Sequence, residues 1–438
     1  MTAQNIYQLY KKTGIISTDS RESTQGGVFF ALKGDNFDGN GFASKALENG
    51  CDYAVIDNPA NKKSEKYILV DDVLKTLQEV AVVHRNNLNI PIIGITGSNG
   101  KTTTKELMAA VLSMKFRTGS TRGNLNNHIG VPITILSLPK ETQIAVIEMG
   151  ANHQGEIARL CEIAKPNYGI ITNIGKAHLE GFGGPDGVKK AKAELYQYLS
   201  KTNGTAFVNS GDDTLVSLIN KTGCNFISYG TSPDDFCLGI DMGSNPFVNI
   251  SLVDKSCSLA SPSRKEIHSN LFGNYNFSNI LAAVCTGMHF GIEFSQIKQA
   301  IESYFPSNNR SQVVETEKNT LILDNYNANP TSMKIALDSF FSLDDERKVV
   351  ILGDMLELGK YAEKEHERII NKIINYKNLF RVFLIGPLFN KTCKNEDITC
   401  FDTVTELIAH LKKNPLTETS VLVKGSRKIQ LEKVIAML

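Results

Sequence analysis

Three observations predict an α/β protein of three domains built on parallel sheets. A chain of 438 residues is too long for one hydrophobic core and implies about two to four domains. Apolar runs of strand length alternate with segments of helical spacing, the pattern of a mostly parallel, doubly wound sheet. The register also changes twice, giving expected domains at 1–88, 89–306 and 307–438.

In the first region VFFAL, YAVID and YILV are separated by Gly, Asp and Asn, which reads as a small α/β unit. The second opens with IPIIGIT, a buried strand, followed by a helix over Lys105–Met114 with Leu107, Val111 and Met114 on one face. IAVIEMG, YGIITNIG and TAFVNSG read as further strands of a P-loop ATPase-type parallel sheet. Phe305–Arg310 reads as a linker. Beyond it LILDNY, VVILGDM, VFLIG and SVLVKG each precede a helix-like segment, so the last region reads as a Rossmann-like domain. There is no internal repeat and no low-complexity tract.

Composition narrows the function. The chain is 41% hydrophobic and 21% charged, as in ordinary globular proteins, and its net charge of +1 provides no field to attract nucleic acid or an anionic membrane. Any anionic ligand must be held by local groups. Eight cysteines lie between Cys51 and Cys400 with no CxxC and no tight His/Cys cluster, which argues against structural zinc and for reduced thiols. MTAQNIYQLYKKTG has no apolar core of signal-peptide length, and no stretch approaches the roughly 18 apolar residues of a membrane span. A cytoplasmic protein without a nucleic-acid partner is expected.

The stretch ITGSNGKTTTKE carries the first chemistry. Gly100-Lys101-Thr102 is the end of a phosphate-binding loop, but the usual spacing puts a glycine where Ile95 stands. Ile95 therefore completes the strand and a shortened loop begins at Gly97. Gly97 and Gly100 let backbone N–H groups approach a phosphate at a helix N-terminus. Lys101 can bridge phosphate oxygens, and the Thr102 hydroxyl can ligate magnesium. The competing reading, a glycine turn with a solvated lysine, fits the strand–turn–helix setting less well. The loop alone allows ATP or GTP, and the Asn-Lys-x-Asp motif that reads guanine is absent.

Other residues stay ambiguous on pattern alone. Glu148 ends IAVIEMG, where a strand-end carboxylate either holds Mg²⁺ or faces solvent. His178, in TNIGKAHLEGFGG, reads as a solvated loop histidine or a ligand. Lys192, in VKKAKAELYQYL beside Lys189 and Lys190, reads as part of a solvated basic face. The Asn-rich runs GNLNNHIG (Gly123–Gly130) and GNYNFSN (Gly273–Asn279) suit base or sugar recognition, or simply turns.

Taken in order, TGSNGKTTT, GNLNNHIGVP, the EMG around Glu148, TNIGKAHLEGFG, AKAELY and GNYNFSN resemble the Mur ligase family, the ATP-dependent amide-forming enzymes of bacterial cell-wall synthesis. The resemblance covers essentially the whole chain, including N-terminal DSRESTQGGVFFALKGDNFDG. DNYNANPTSM (Asp324–Met333), LGDMLELG (Leu352–Gly359) and VKGSRKIQLEKV resemble the branch that joins D-alanyl-D-alanine to UDP-N-acetylmuramoyl-tripeptide, with a UDP-binding first domain. The Asp-Asn-Pro-Arg signature of the branch that adds the third amino acid is absent. Asn40 in DGNGF and Tyr275 in GNYN stand where relatives often have His.

The resemblance implies a set of site residues. Gly97, Ser98, Asn99, Gly100, Lys101, Thr102 and Thr103 would hold the ATP phosphates; Asn276 and Asn279 would contact adenine and Asp324 the ribose. Arg310 would reach the phosphates on domain closure. Thr102 and Glu148 would ligate one Mg²⁺, and His178 with Lys192, carried as a carbamate formed from CO₂, a second. Lys101, Lys192, His178 and Arg310 would be catalytic. Ser20, Arg21, Lys33, Asn124 and Asn127 would face the UDP substrate, and Tyr326, Asn327 and Asn329 the D-alanyl-D-alanine. A monomer acting on the two substrates is implied. Two alternatives stay open: another ligase of the superfamily, such as a folylpolyglutamate synthase, and a P-loop binding module that uses nucleotide to change shape.

Overall fold

The computed structural model describes residues 1–21, 25–253, 264–376 and 378–438. Glu22–Thr24 of the N-terminal motif, and Cys257, lie outside the described residues. Three parallel-rich sheets succeed one another along the chain, with helices on their faces.

The first sheet pairs Ile16–Ser17, Val28–Phe30, Tyr53–Ile56 and Tyr67–Leu69 in that order, all parallel. Asn40 is buried there and knots the connecting loops. Its amide donates to Asp38 and Asp57 (2.6 and 2.8 Å), and its carbonyl receives the N–H groups of Asp57 and Asn58 (3.0 and 3.2 Å). Helix Val73–Asn87, capped by Asp72, packs both on helix Ala3–Thr13 of this unit and on helices Gly130–Leu136 and Glu156–Ala164 of the next. It is a shared seam.

The central sheet runs Arg264–Phe272, Phe247–Val253, Cys237–Ser244, Asn225–Gly230, Thr205–Asn209, Tyr168–Ile171, Ile92–Thr96, Ile144–Glu148, Thr118–Ser120. Ile92–Thr96 and Ile144–Glu148 are buried throughout, as expected of central parallel strands covered on both faces. Strands Cys237–Ser244, Phe247–Val253 and Arg264–Phe272 add an antiparallel ribbon that the apolar-run reading did not foresee. Arg264–Phe272 (RKEIHSNLF) is mostly polar, with buried positions interleaved among exposed ones, so it forms no apolar run. The helix expected over Lys105–Met114 spans Lys101–Ser113. Its first turn, KTTT, has no apolar periodicity, and Gly100 in the left-handed region starts it. Leu107, Met108 and Val111 are fully buried against the helix Asn276–His289.

The third sheet orders Gln312–Glu315, Asn319–Leu323, Thr419–Lys424, Lys348–Gly353, Leu379–Ile385 and Thr399–Phe401; only its first pair is antiparallel. Among the described residues no helix is long and apolar enough to cross a membrane. In the central sheet Ile92–Thr96 lies between Tyr168–Ile171 and Ile144–Glu148, the place where strand order reverses. Open α/β sheets bind ligands in the crevice beyond the strand ends at such a point.

Candidate active site

A cleft of about 590 Å³ opens at that crevice and is closed on its far side by the third unit. Its walls include Ser98–Thr103, Glu148, His178, Asn276, Asn279, Arg310, Asp324, Tyr326, Asn327 and Asn329. Residues from 98 to 424 converge there.

The loop after Ile92–Thr96 has no room for larger residues. Gly97 has φ 145°, and a Cβ there would lie 2.0 Å from Thr172 Oγ1; at Gly100, φ 79°, it would lie 2.6 Å from Asn279 Oδ1. The loop is pinned from behind: the Ser98 and Asn99 N–H groups donate to Asn173 (3.0 and 3.1 Å), and Thr172 Oγ1 donates to Asn99 O (2.5 Å). The N–H groups of Lys101, Thr102 and Thr103 open the helix and have no intrahelical acceptor, which suits an anion. Lys101 Nζ folds back onto Gly97 O (2.8 Å) and Ser98 O (3.4 Å). Burial, and then Arg310, lower the pKa of this ammonium, while Glu148 opposes them.

Glu148 is only 1% exposed. Thr102 Oγ1 donates to its Oε2 (2.9 Å) and Asn126 Nδ2 to its Oε1 (2.8 Å). A buried carboxylate beside a hydroxyl is the hard oxygen set that Mg²⁺ takes, with phosphate and water completing the shell. The residues fit that ion. Among the described residues no three His, Cys, Asp or Glu side chains cluster as a metal site, so any second ion needs a further oxygen donor.

Lys192 corrects the solvated reading, being 2% exposed. With Val188, Leu195, Tyr196 and Leu199 it lies on the buried stripe of helix Pro185–Lys201, whereas Lys189 and Lys190 stay more open. Its ammonium sits 5.4 Å from the Phe182 ring centre, and among the described residues no carboxylate comes within ion-pair distance. Burial first, and then Lys101, push its pKa down to about 7, against the pull of Glu194 and Glu156. A neutral amine is thus accessible near physiological pH, the form that adds CO₂. His178, whose ring centre also lies near that of Phe182 (6.4 Å), is half-buried at φ 50° and contacts Glu357 through Nδ1.

The Asn-rich run at the other end is a network. Asn276 Nδ2 donates to Phe272 O (2.8 Å) and Ser311 Oγ (3.1 Å), Asn279 Nδ2 to Asn276 Oδ1 (2.8 Å), and Thr104 Oγ1 to Asn279 Oδ1 (3.1 Å). Tyr275, at the position flagged as a departure from His, bonds Ser311 Oγ through its hydroxyl at 2.8 Å. Asp324 receives Ser311 N (3.3 Å) and pairs with Lys424 (2.5 Å). The Arg310 guanidinium stacks 3.7 Å over the Tyr326 ring, and its Nε is buried without a partner. Asn329 caps helix Pro330–Phe341 and donates to Asn99 Oδ1 across the cleft (2.7 Å).

The expected UDP-side residues divide. Asn124 and Asn127 line the cleft, and Asn127 also receives Ile129 N and Gly130 N (3.1 and 2.8 Å). Ser20, Arg21 and Lys33 lie outside its walls; Arg21 pairs with Asp19 and Lys33 with Asp57. Sequence reasoning missed Asn126, Asn173, Glu357 and Lys424. Asn126 and Asn173 stood inside runs already singled out, and Lys424 at the end of an apolar strand, a position that could have flagged it. Glu357 also stood inside a quoted run, LGDMLELG, but nothing local marked it, because its partner is 179 residues away in sequence.

Comparison with known proteins agrees with this layout. Residues 12–98 match the Mur ligase family catalytic domain, residues 95–287 the Mur ligase middle domain, and residues 309–427 the Mur ligase glutamate ligase domain. The UDP-N-acetylmuramoyl-tripeptide–D-alanyl-D-alanine ligase of Bacillus subtilis is 33% identical over 97% of this chain and 93% of its own. A crystal structure of MurF from Acinetobacter baumannii superposes with a TM-score of 0.86 at 30% identity, covering 99% of this chain and 98% of that one. MurF ligase from Thermotoga maritima in complex with ADP does so with a TM-score of 0.84 at 27% identity, covering 97% and 96%. With near-complete coverage at this identity, the chain belongs to the Mur ligase family.

Proposed function

We propose that this chain is an ATP-dependent, ADP-forming ligase that joins D-alanyl-D-alanine to UDP-N-acetylmuramoyl-tripeptide, producing the pentapeptide precursor for peptidoglycan. The observation that carries the reading is one cleft in which a phosphate loop, a buried carboxylate and residues of the third unit face one another. The names of the relatives supply the substrates.

In this reading the terminal carboxylate of the tripeptide attacks the γ-phosphate, releasing ADP and leaving an acyl phosphate. The amine of D-alanyl-D-alanine then attacks the carbonyl carbon, and phosphate leaves with one oxygen of the original carboxylate. Two anions must meet in the first step. Lys101, the open N–H groups at its helix start and Arg310 neutralise them. Bound Mg²⁺ would add Lewis-acid charge at Thr102 and Glu148. Lys192, as a carbamate, would exchange a cation for an oxygen donor beside His178 and so fit a second ion. Asn276, Asn279 and Asp324 face the nucleoside, Asn124 and Asn127 the UDP-substrate, and Tyr326, Asn327 and Asn329 the dipeptide. Ser20, Arg21 and Lys33 hold the uridine end away from the cleft. Closure of the third unit over the loop excludes water from the acyl phosphate. The chain works as a cytoplasmic monomer, where ATP and the nucleotide-linked precursor meet.

An acceptor panel tests the assignment. ADP release should require the tripeptide and be supported by D-alanyl-D-alanine. Release supported by glutamate or a diamino acid, with D-alanyl-D-alanine inert, would overturn it.

A further inference from the structure

His178 does not stand alone in its own unit. The segment 354–359 of the third unit, which follows strand Lys348–Gly353, crosses to it, and the Glu357 carboxylate contacts its Nδ1. Glu180 N, two residues on, donates to Glu357 O (3.3 Å). Both ends of this contact hold left-handed backbone uncommon for residues with side chains, φ 50° at His178 and 63° at Glu357. Such geometry persists where the surroundings over-determine it.

The surroundings do so on the Glu357 side. Asp354 is fully buried and receives Leu388 N and Phe389 N (2.9 and 2.8 Å). Met355 N donates to buried His366 Nε2 (3.1 Å), and Leu356 N to Ser426 Oγ (2.9 Å). Three anchors in succession thus fix the loop that presents Glu357. Gly359, at φ 52°, lies where a Cβ would meet Glu180 Cβ at 3.2 Å, so the loop seats closely on helix Leu179–Phe182. Two more contacts join the same faces: Lys176 Nζ with Glu365 Oε1 (2.7 Å) and Lys176 N with Thr331 Oγ1 (3.0 Å).

We propose that Glu357 is a positioning residue: docking of the third unit delivers its carboxylate to His178 Nδ1, orienting the imidazole and leaving Nε2 as the nitrogen free for an ion. The ring of a ligating histidine is commonly fixed through its other nitrogen in this way, and removing the partner weakens the metal about 10–100-fold. Because the carboxylate comes from another unit, docking and binding of the second ion are linked, and each favours the other. The inference rests on the reading of His178 as a ligand, given above.

The test uses the full chain. In the metal-free, nucleotide-free protein, amide exchange of segments 176–184 and 355–360 reports docking, and histidine ¹⁵N spectra report the His178 tautomer. Glu357→Ala should speed exchange in both segments and abolish the preference for the Nδ1-protonated form. Glu357→Gln, whose amide oxygen still accepts from Nδ1, should restore most of both. With ADP present, Glu357→Ala should weaken the second Mn²⁺ by about 10–100-fold and leave the first unchanged. Unchanged exchange and tautomer in Glu357→Ala, with two Mn²⁺ bound by the unaltered chain, would overturn the positioning role alone. An unaltered chain that binds a single Mn²⁺ would overturn the ligand reading of His178 and this inference with it.

Discussion

Single side chains here act through their surroundings, and Lys192 illustrates it. Its neighbours Lys189 and Lys190 make the local sequence look like a solvated face, yet helical phase puts it on the buried stripe. The stripe was legible in the apolar spacing; what was not legible is that the third residue of a lysine run would occupy it, since only packing decides which side of the helix is covered. Lys192→Ala should lose ligation, and short carboxylates added to the assay should restore part of it by supplying the missing oxygens. Activity at the unaltered level with no additive would rule out the carbamate. A ¹³CO₂-derived carbamate resonance should be present in the unaltered chain and absent in this variant. Lys101, by contrast, was fully legible, because its motif fixes strand, turn and helix together. Lys101→Ala should lower turnover about 10²-fold or more, the scale of one lost electrostatic partner, with an unchanged circular-dichroism spectrum. Undiminished turnover would remove the phosphate assignment.

At the scale of elements, the phosphate loop depends on close backbone approach. Gly97→Ala would drive a methyl group into Thr172 at a buried position, so ATP affinity should fall about tenfold or more and the unfolding temperature should drop with it. Equal affinity by calorimetry would contradict the loop geometry. The seam between helices Ala3–Thr13 and Val73–Asn87 has its own signature. His84 is packed by Tyr7 and Tyr10 (ring centres 5.8 and 5.3 Å), its Nε2 has no partner, and burial pushes its pKa from 6.5 down to about 4. The unfolded chain therefore binds the proton more readily between those values. The contribution is complete above about pH 6.5 and is lost as pH falls towards 4. The thermal midpoint should drop across this window, and His84→Phe should flatten the drop; parallel curves for the two would show that His84 is not the group responsible. Strands with continuous apolar runs were read correctly, while the antiparallel ribbon of Cys237–Ser244, Phe247–Val253 and Arg264–Phe272 was invisible because polar residues interrupt each of its strands.

Over the whole molecule, three sheets and their order along the chain were legible because each strand–helix alternation is local. The arrangement of the units around one cleft was not. Asn99 with Asn329, Lys176 with Glu365 and His178 with Glu357 join residues 230, 189 and 179 positions apart. No periodicity encodes such pairs. They bring the third unit over the phosphate loop, which would shield the proposed acyl phosphate from water. The central claim is that this loop holds a phosphate bound for a peptide carboxylate, and oxygen labelling tests it most directly. With tripeptide substrate carrying ¹⁸O in its terminal carboxylate, ATP and D-alanyl-D-alanine, the released phosphate should contain one ¹⁸O per molecule. Phosphate released without label would mean that water attacked ATP and would contradict the account.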